Sequence, residues 1–116
     1  LRAVLRRHPA LTAVVAHCGA PEYADFLALA VEFDRVHLDT AMVFTDFFDA
    51  AGAFPSELLA VLGDRPDIVL LGSDFPTIPY SYAHQLEALE RLDLGESWLR
   101  AVCWDNAARL LNLAGR

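Results

Sequence analysis

An α/β fold with parallel strands is what this sequence predicts, and three observations point to it. A short apolar run, a polar or Gly-bearing junction and an amphipathic helix follow one another three times along the chain. Two of the runs, AVVA (13–16) and IVLL (68–71), are continuously apolar, as strands buried on both faces are. Strands spaced by helices pair in parallel through right-handed crossovers. An open doubly wound sheet and part of a closed barrel both satisfy this pattern, and periodicity does not separate them.

The first residues, LRAVLRR, read as the end of a helix. Arg6, Arg7 and His8 sit where cations favour a helix C-terminus, and Pro9 stops it. The first strand is expected near 13–17, ending at His17-Cys18-Gly19. After Pro21 comes a helix with Phe26, Leu27, Ala30, Val31 and Phe33 as its apolar stripe. Val36 to Asp39 forms the second strand. An aromatic stretch from Met42 to Phe48 follows, then a break at Gly52 and Pro55 and a short helix around Glu57 to Leu62. The third strand is expected near 68–72, before Gly72-Ser73-Asp74-Phe75-Pro76. Its helix carries Tyr82, Leu86, Leu89 and Leu92 on one side, and a terminal helix over Ser97–Leu113 breaks near Asp105.

Composition narrows the function classes. The chain has 116 residues, 55% hydrophobic and 22% charged, which is the balance of a globular domain. Net charge is −7 with no lysine, and no basic cluster exceeds Arg6-Arg7, so nucleic-acid binding is not expected. Apolar runs are far too short for a membrane span, and no signal-peptide layout is present. Cys18 and Cys103 stand alone without CxxC spacing, which suits free thiols in a reducing, cytoplasmic setting. The opening at Leu1 in an apparent helix tail leads us to expect part of a longer protein; a trimmed but complete small domain is the rival.

Polar residues at the strand C-termini are the candidates for chemistry. Asp74 can bind a divalent cation or accept a proton from an activated water; its structural alternative is a turn or helix cap before Pro76. His17 can ligate, polarise a carbonyl or shuttle a proton, against the alternative of a buried, backbone-bonded histidine. Asp39 shares a face with His37 and borders the site if that face is a barrel interior; a structural role is the preferred reading. Cys18 reads as a small buried thiol and not as a nucleophile. His8 reads as a helix-end cation and His84 as a solvated helix residue. Phe44, Phe47, Phe48 and Phe54 suit core packing or a subunit contact, with an apolar lip over a substrate as the alternative.

The ordered set VVAHCGAPEY (14–23), VHLDTAM (36–42), VLLGSDFP (69–76) and WDNAARLLNL (104–113) resembles the C-terminal part of amidohydrolase-related proteins. These are the branch that includes the aminocarboxymuconate-semialdehyde decarboxylase-like enzymes, and the resemblance covers nearly the whole chain. It implies that 1–116 is a partial domain, strands six to eight of a (β/α)8 barrel with their helices. It also implies one divalent metal at the C-terminal rim, zinc first, with manganese or iron as alternatives. Asp74 matches the strand-eight aspartate, which contributes to the metal site and serves as base. His17 matches the strand-six histidine, which acts as proton shuttle or carbonyl polariser. The family's HxH pair and strand-five histidine have no counterpart among the four histidines here, so the remaining ligands are expected outside this chain. A closed barrel needs about 250 residues. The implied activity is attack of a metal-activated water on an amide, ester or lactone of a small-molecule substrate. Nonoxidative decarboxylation on the same scaffold and a non-catalytic α/β binding or assembly module are the alternatives. The sequence leaves homo-oligomerisation open.

Overall fold

The computed structural model describes residues 1–48 and 52–113. Helix α1 (Arg2–Arg7) ends at His8, and Arg2 and Arg6 form ion pairs with Glu32. Strand β1 (Ala13–Val15) leads through a tight turn into helix α2 (Tyr23–Glu32) and strand β2 (Val36–Asp39). Helix α3 (Leu59–Asp64) and a short turn at Pro66–Ile68 precede strand β3 (Val69–Leu70). Helices α4 (Tyr82–Glu90), α5 (Glu96–Arg100) and α6 (Asn106–Leu110) follow, the last two continuous through a π-helical segment at Ala101–Asp105.

The sheet is parallel, as the strand–helix alternation predicts, and its order is the sequential β1-β2-β3. Val14 lies beside His37 and Leu38 beside Val69. Laterally paired residues share a face, so Val36, Leu38 and Val69 form one row. This row is fully buried and packs with Leu27 and Ala30 of α2, Leu62 of α3, Leu89 of α4 and Trp98 of α5. Truncating any one of these leucines to alanine removes transfer energy and leaves a void, costing about 2–5 kcal/mol. Trp98 Nε1 donates to the Leu62 carbonyl (2.8 Å), so the indole buries its ring without orphaning its N–H.

Several boundaries depart from the sequence expectation. β1 is not buried on both faces: Val14 is 49% exposed on the row opposite the helices. β1 stops at Val15, because His17 and Cys18 take left-handed backbone (φ 54° and 50°) that no strand continues. β3 is only Val69–Leu70, since the Leu71 N–H turns to the Val102 carbonyl (3.1 Å). On α2, Leu27 and Ala30 are buried but Val31 is exposed, and Phe33 lies just past the helix end. On α4 the buried positions are Gln85, Ala88 and Leu89, while Tyr82 is exposed. The expected break near Asp105 is absent: α5 runs on into α6 through a π-helical segment at 101–105, with helical backbone at Ala101, Asp105 and Asn106. Among the described residues no helix is long and apolar enough to cross a membrane.

Candidate active site

Parallel strands put all their C-termini at one end of the sheet. His17 lies two residues beyond β1 and Asp74 four beyond β3, with β2 between them. Two strand spacings, roughly 10 Å of sheet width, separate the two chain paths.

His17 is held from three directions. Its backbone N–H donates to Asp39 Oδ1 (3.2 Å) at the end of the neighbouring strand. Its ring Nδ1 lies 2.8 Å from the Ala41 carbonyl oxygen, and Phe48 stacks on the imidazole with centroids 5.1 Å apart. A carbonyl oxygen only accepts, so Nδ1 carries the proton and neutral His17 keeps its lone pair at Nε2. Left-handed backbone at a non-glycine residue costs about 1–3 kcal/mol and persists only where its surroundings over-determine it. Asp39 supplies that constraint, accepting also from the Ala41 N–H (2.9 Å). Asp39 is therefore a structural node, as the sequence suggested.

Cys18, next to His17, is fully buried and its thiol donates to the Asp39 carbonyl (3.3 Å). Burial first, and the Asp39 charge second, push this thiol far above its ordinary range, so it stays protonated and unreactive.

β3 ends against the same node. A methyl at Gly72 would come within 2.8 Å of Asp39 Oδ1 and 3.0 Å of the Ala41 nitrogen, so only glycine lets the two strand ends approach. The Gly72 N–H donates to Thr40 Oγ1 (3.3 Å). Beyond it, Asp74 is exposed and also left-handed (φ 56°). Its carbonyl accepts from Thr77 N (2.9 Å) and Thr77 Oγ1 (2.7 Å), which closes a turn. The Tyr80 phenol sits in the field of this carboxylate: burial pushes its pKa up, a Thr45 hydrogen bond opposes, and the Asp74 charge adds to the rise.

The aromatic stretch divides. Phe44, Phe48 and Phe54 pack onto the core and, with Tyr23, line a cavity of about 320 Å³. Phe47 is half exposed and meets Tyr80 (5.1 Å) and His84 (5.5 Å). His84 is thus not the solvated helix residue expected from sequence. Tyr80 and Phe47 fold over its ring, and its Nε2 is buried with no partner among the described residues.

One important residue escaped the sequence reading. Gln85 is fully buried, ties the 40–45 turn to α4 by three hydrogen bonds and accepts a fourth from the Tyr80 hydroxyl. A lone glutamine on a helix ordinarily reads as solvated. Its spacing from Ala88, Leu89 and Leu92 (i, i+3, i+4, i+7) was the signal that it shares their buried stripe.

Among the described residues no three His, Cys, Asp or Glu side chains gather into a group able to hold a metal ion. Asp74 offers one exposed carboxylate, a hard oxygen donor, and His17 one imidazole nitrogen with a free lone pair. These fit part of a divalent centre, not the whole of one. A comparison with curated proteins finds no match. The amidohydrolase family matches residues 1–113, and the chain therefore belongs to the amidohydrolase family.

Proposed function

We propose that residues 1–116 form strands six to eight of a (β/α)8 barrel, and that the complete protein is a metal-dependent hydrolase using Asp74 and His17. The observation that carries this reading is the arrangement at the strand ends. In a chain of the amidohydrolase family, strands β1 and β3, which precede His17 and Asp74, end on the same side of a parallel sheet, which supports a shared site. The exposed Val14 on the row away from the helices supports the barrel, because that row is where further strands would contribute side chains.

A divalent ion, zinc first among the candidates, would be held by Asp74 together with ligands outside these residues, and would supply a water acidic enough to react near neutral pH. Asp74 takes the proton of the attacking water. Water oxygen bonds to the carbonyl carbon of an amide, ester or lactone, the bond from that carbon to nitrogen or oxygen breaks, and the proton passes to the leaving group. Of the two roles the resemblance implies for His17, its hydrogen bonding favours the shuttle. With Nδ1–H committed to Ala41, Nε2 accepts a proton when neutral and donates one when charged.

The test is turnover and metal content in the complete protein, with p-nitrophenyl acetate as a probe ester and decarboxylation followed by CO2 release. Asp74→Asn should cut turnover by about 100-fold or more, the scale on which general acid–base catalysis operates, with the fold intact by circular dichroism. His17→Gln should do the same while retaining the metal. Wild-type rates in either variant would remove that residue from the mechanism. Loss of metal in His17→Gln would make it a ligand, and CO2 release without ester hydrolysis would replace hydrolysis by decarboxylation.

A further inference from the structure

We propose that Gln85 is a positioning residue for this site: through the turn at 40–45 it fixes the Ala41 carbonyl and so the proton on His17. The proposal rests on the catalytic reading of His17 for its effect on turnover, but the ordering of His17 is a separate, observable claim.

Gln85 lies on α4, yet it is 0% exposed and uses its whole amide. Nε2 donates to the carbonyls of Thr40 (3.0 Å) and Val43 (3.3 Å), while Oε1 accepts from the Met42 N–H (3.1 Å) and the Tyr80 hydroxyl (3.1 Å). Two carbonyls on one side and two donors on the other leave one orientation for the amide. The turn it grips needs gripping. Met42 and Phe44 both have left-handed backbone (φ 60° and 72°), costing about 1–3 kcal/mol each, and neither is a residue that favours it.

The turn in turn carries the contacts of His17. Ala41, between Thr40 and Met42, accepts from His17 Nδ1, and Phe48 at the end of the segment stacks on the ring. Thr40 also takes Gly72 N–H on its hydroxyl and gives its own N–H to the Leu70 carbonyl (3.0 Å), so the same grip reaches the strand that leads to Asp74. Tyr80, on the chain beyond Asp74, closes the circuit onto Gln85. One buried amide therefore links the loops that follow β2 and β3.

Replacing Gln85 by methionine keeps its length and apolar stem but leaves the Val43 carbonyl and the Met42 N–H without partners. Gln85→Glu keeps the shape and sets an oxygen against two carbonyls, which repels the turn without opening a void. Tyr80→Phe removes one acceptor contact and leaves both donor bonds of the amide in place.

The experiment is 15N NMR of the histidine rings in the complete protein, read beside kcat and KM on p-nitrophenyl acetate. Wild type should show His17 as a single Nδ1–H tautomer. Gln85→Met and Gln85→Glu should each show a mixture, with kcat lowered about 10- to 100-fold and KM little changed, as for a misplaced but present catalytic group. Tyr80→Phe should keep the single tautomer. If Gln85→Met fails to fold, Gln85→Glu decides. A single Nδ1–H tautomer in folded Gln85→Glu overturns the proposal. Wild-type turnover in His17→Gln would sink the catalytic reading instead, and the tautomer would still decide whether Gln85 orders that ring.

Discussion

At the scale of single residues, His37 shows how a strand position acquires a pH dependence. It sits in β2 beside Val14, and its Nδ1 is buried without a partner among the described residues. Arg35, Asp34, Asp67, Asn106 and Arg109 surround it at the strand N-termini. Burial is the largest influence and lowers its pKa below the ordinary 6.5; Arg109 and Arg35 push the same way, against contributions from Asp67. The folded state therefore declines a proton that the unfolded chain accepts near pH 6.5. Stability from this group is complete above pH 6.5 and is lost as pH falls below it towards the lowered value. The thermal midpoint of the complete protein should drop on acidification through this range, and His37→Gln should flatten the drop. The same slope in both proteins would discard this account. Asp39 is the contrasting case, a carboxylate that serves the fold through fixed acceptor bonds to His17 and Ala41 and through its close approach to Gly72.

At the scale of elements, Asn106 docks α6 onto the start of β3. Its Nδ2 donates to the carbonyls of Pro66 (2.6 Å) and Val69 (2.8 Å), while Oδ1 accepts from Arg109 (3.0 Å). Asn106→Leu would fit the 3% exposed site roughly by size but strand two carbonyls, each costing about 1–3 kcal/mol. Urea denaturation should show the midpoint falling accordingly; an unchanged midpoint would mean water replaces the amide without loss. Such cross-element bonds also explain what the sequence could not show. Strand identity, direction and order were legible because AVV, VHL and VL carry their own apolar pattern and the helices between them enforce crossovers. The end of β1 was not legible, because the turn at His17 is fixed by Asp39, 22 positions away. His84 was misjudged for the same reason, since Phe47 and Tyr80 cover it, and the partners that Gln85 finds in the 40–45 turn and at Tyr80 are likewise announced by no local pattern. His17 and Asp74 were singled out because polar residues directly after apolar runs are locally conspicuous.

At the scale of the whole chain, the sheet presents an edge that the described residues do not cover. β1 pairs with β2 on one side only, and its middle residue, Val14, is 49% exposed. The β3 side is less open than its apolar sequence suggests, because the strand is two residues long and the Ala101–Asp105 segment takes the Leu71 N–H. An apolar edge strand with unpaired N–H and C=O groups recruits further strands, and the net charge of −7 slows that without satisfying the backbone. The 116-residue chain expressed alone should therefore self-associate, sedimenting above its 12.8 kDa mass. Val14→Lys should shift the distribution towards monomer, because a charge on an edge strand opposes pairing. Zinc titration of the same sample should show only the weak affinity of a single carboxylate and imidazole, since no three-residue donor group forms among the described residues. Both readouts bear on one question, whether these three strands are a whole or a part. A stable monomer holding one tightly bound zinc would show a complete domain and reject the partial barrel. Self-association that Val14→Lys leaves untouched would move the sticky surface away from β1, to exposed aromatics such as Phe75 and Trp104.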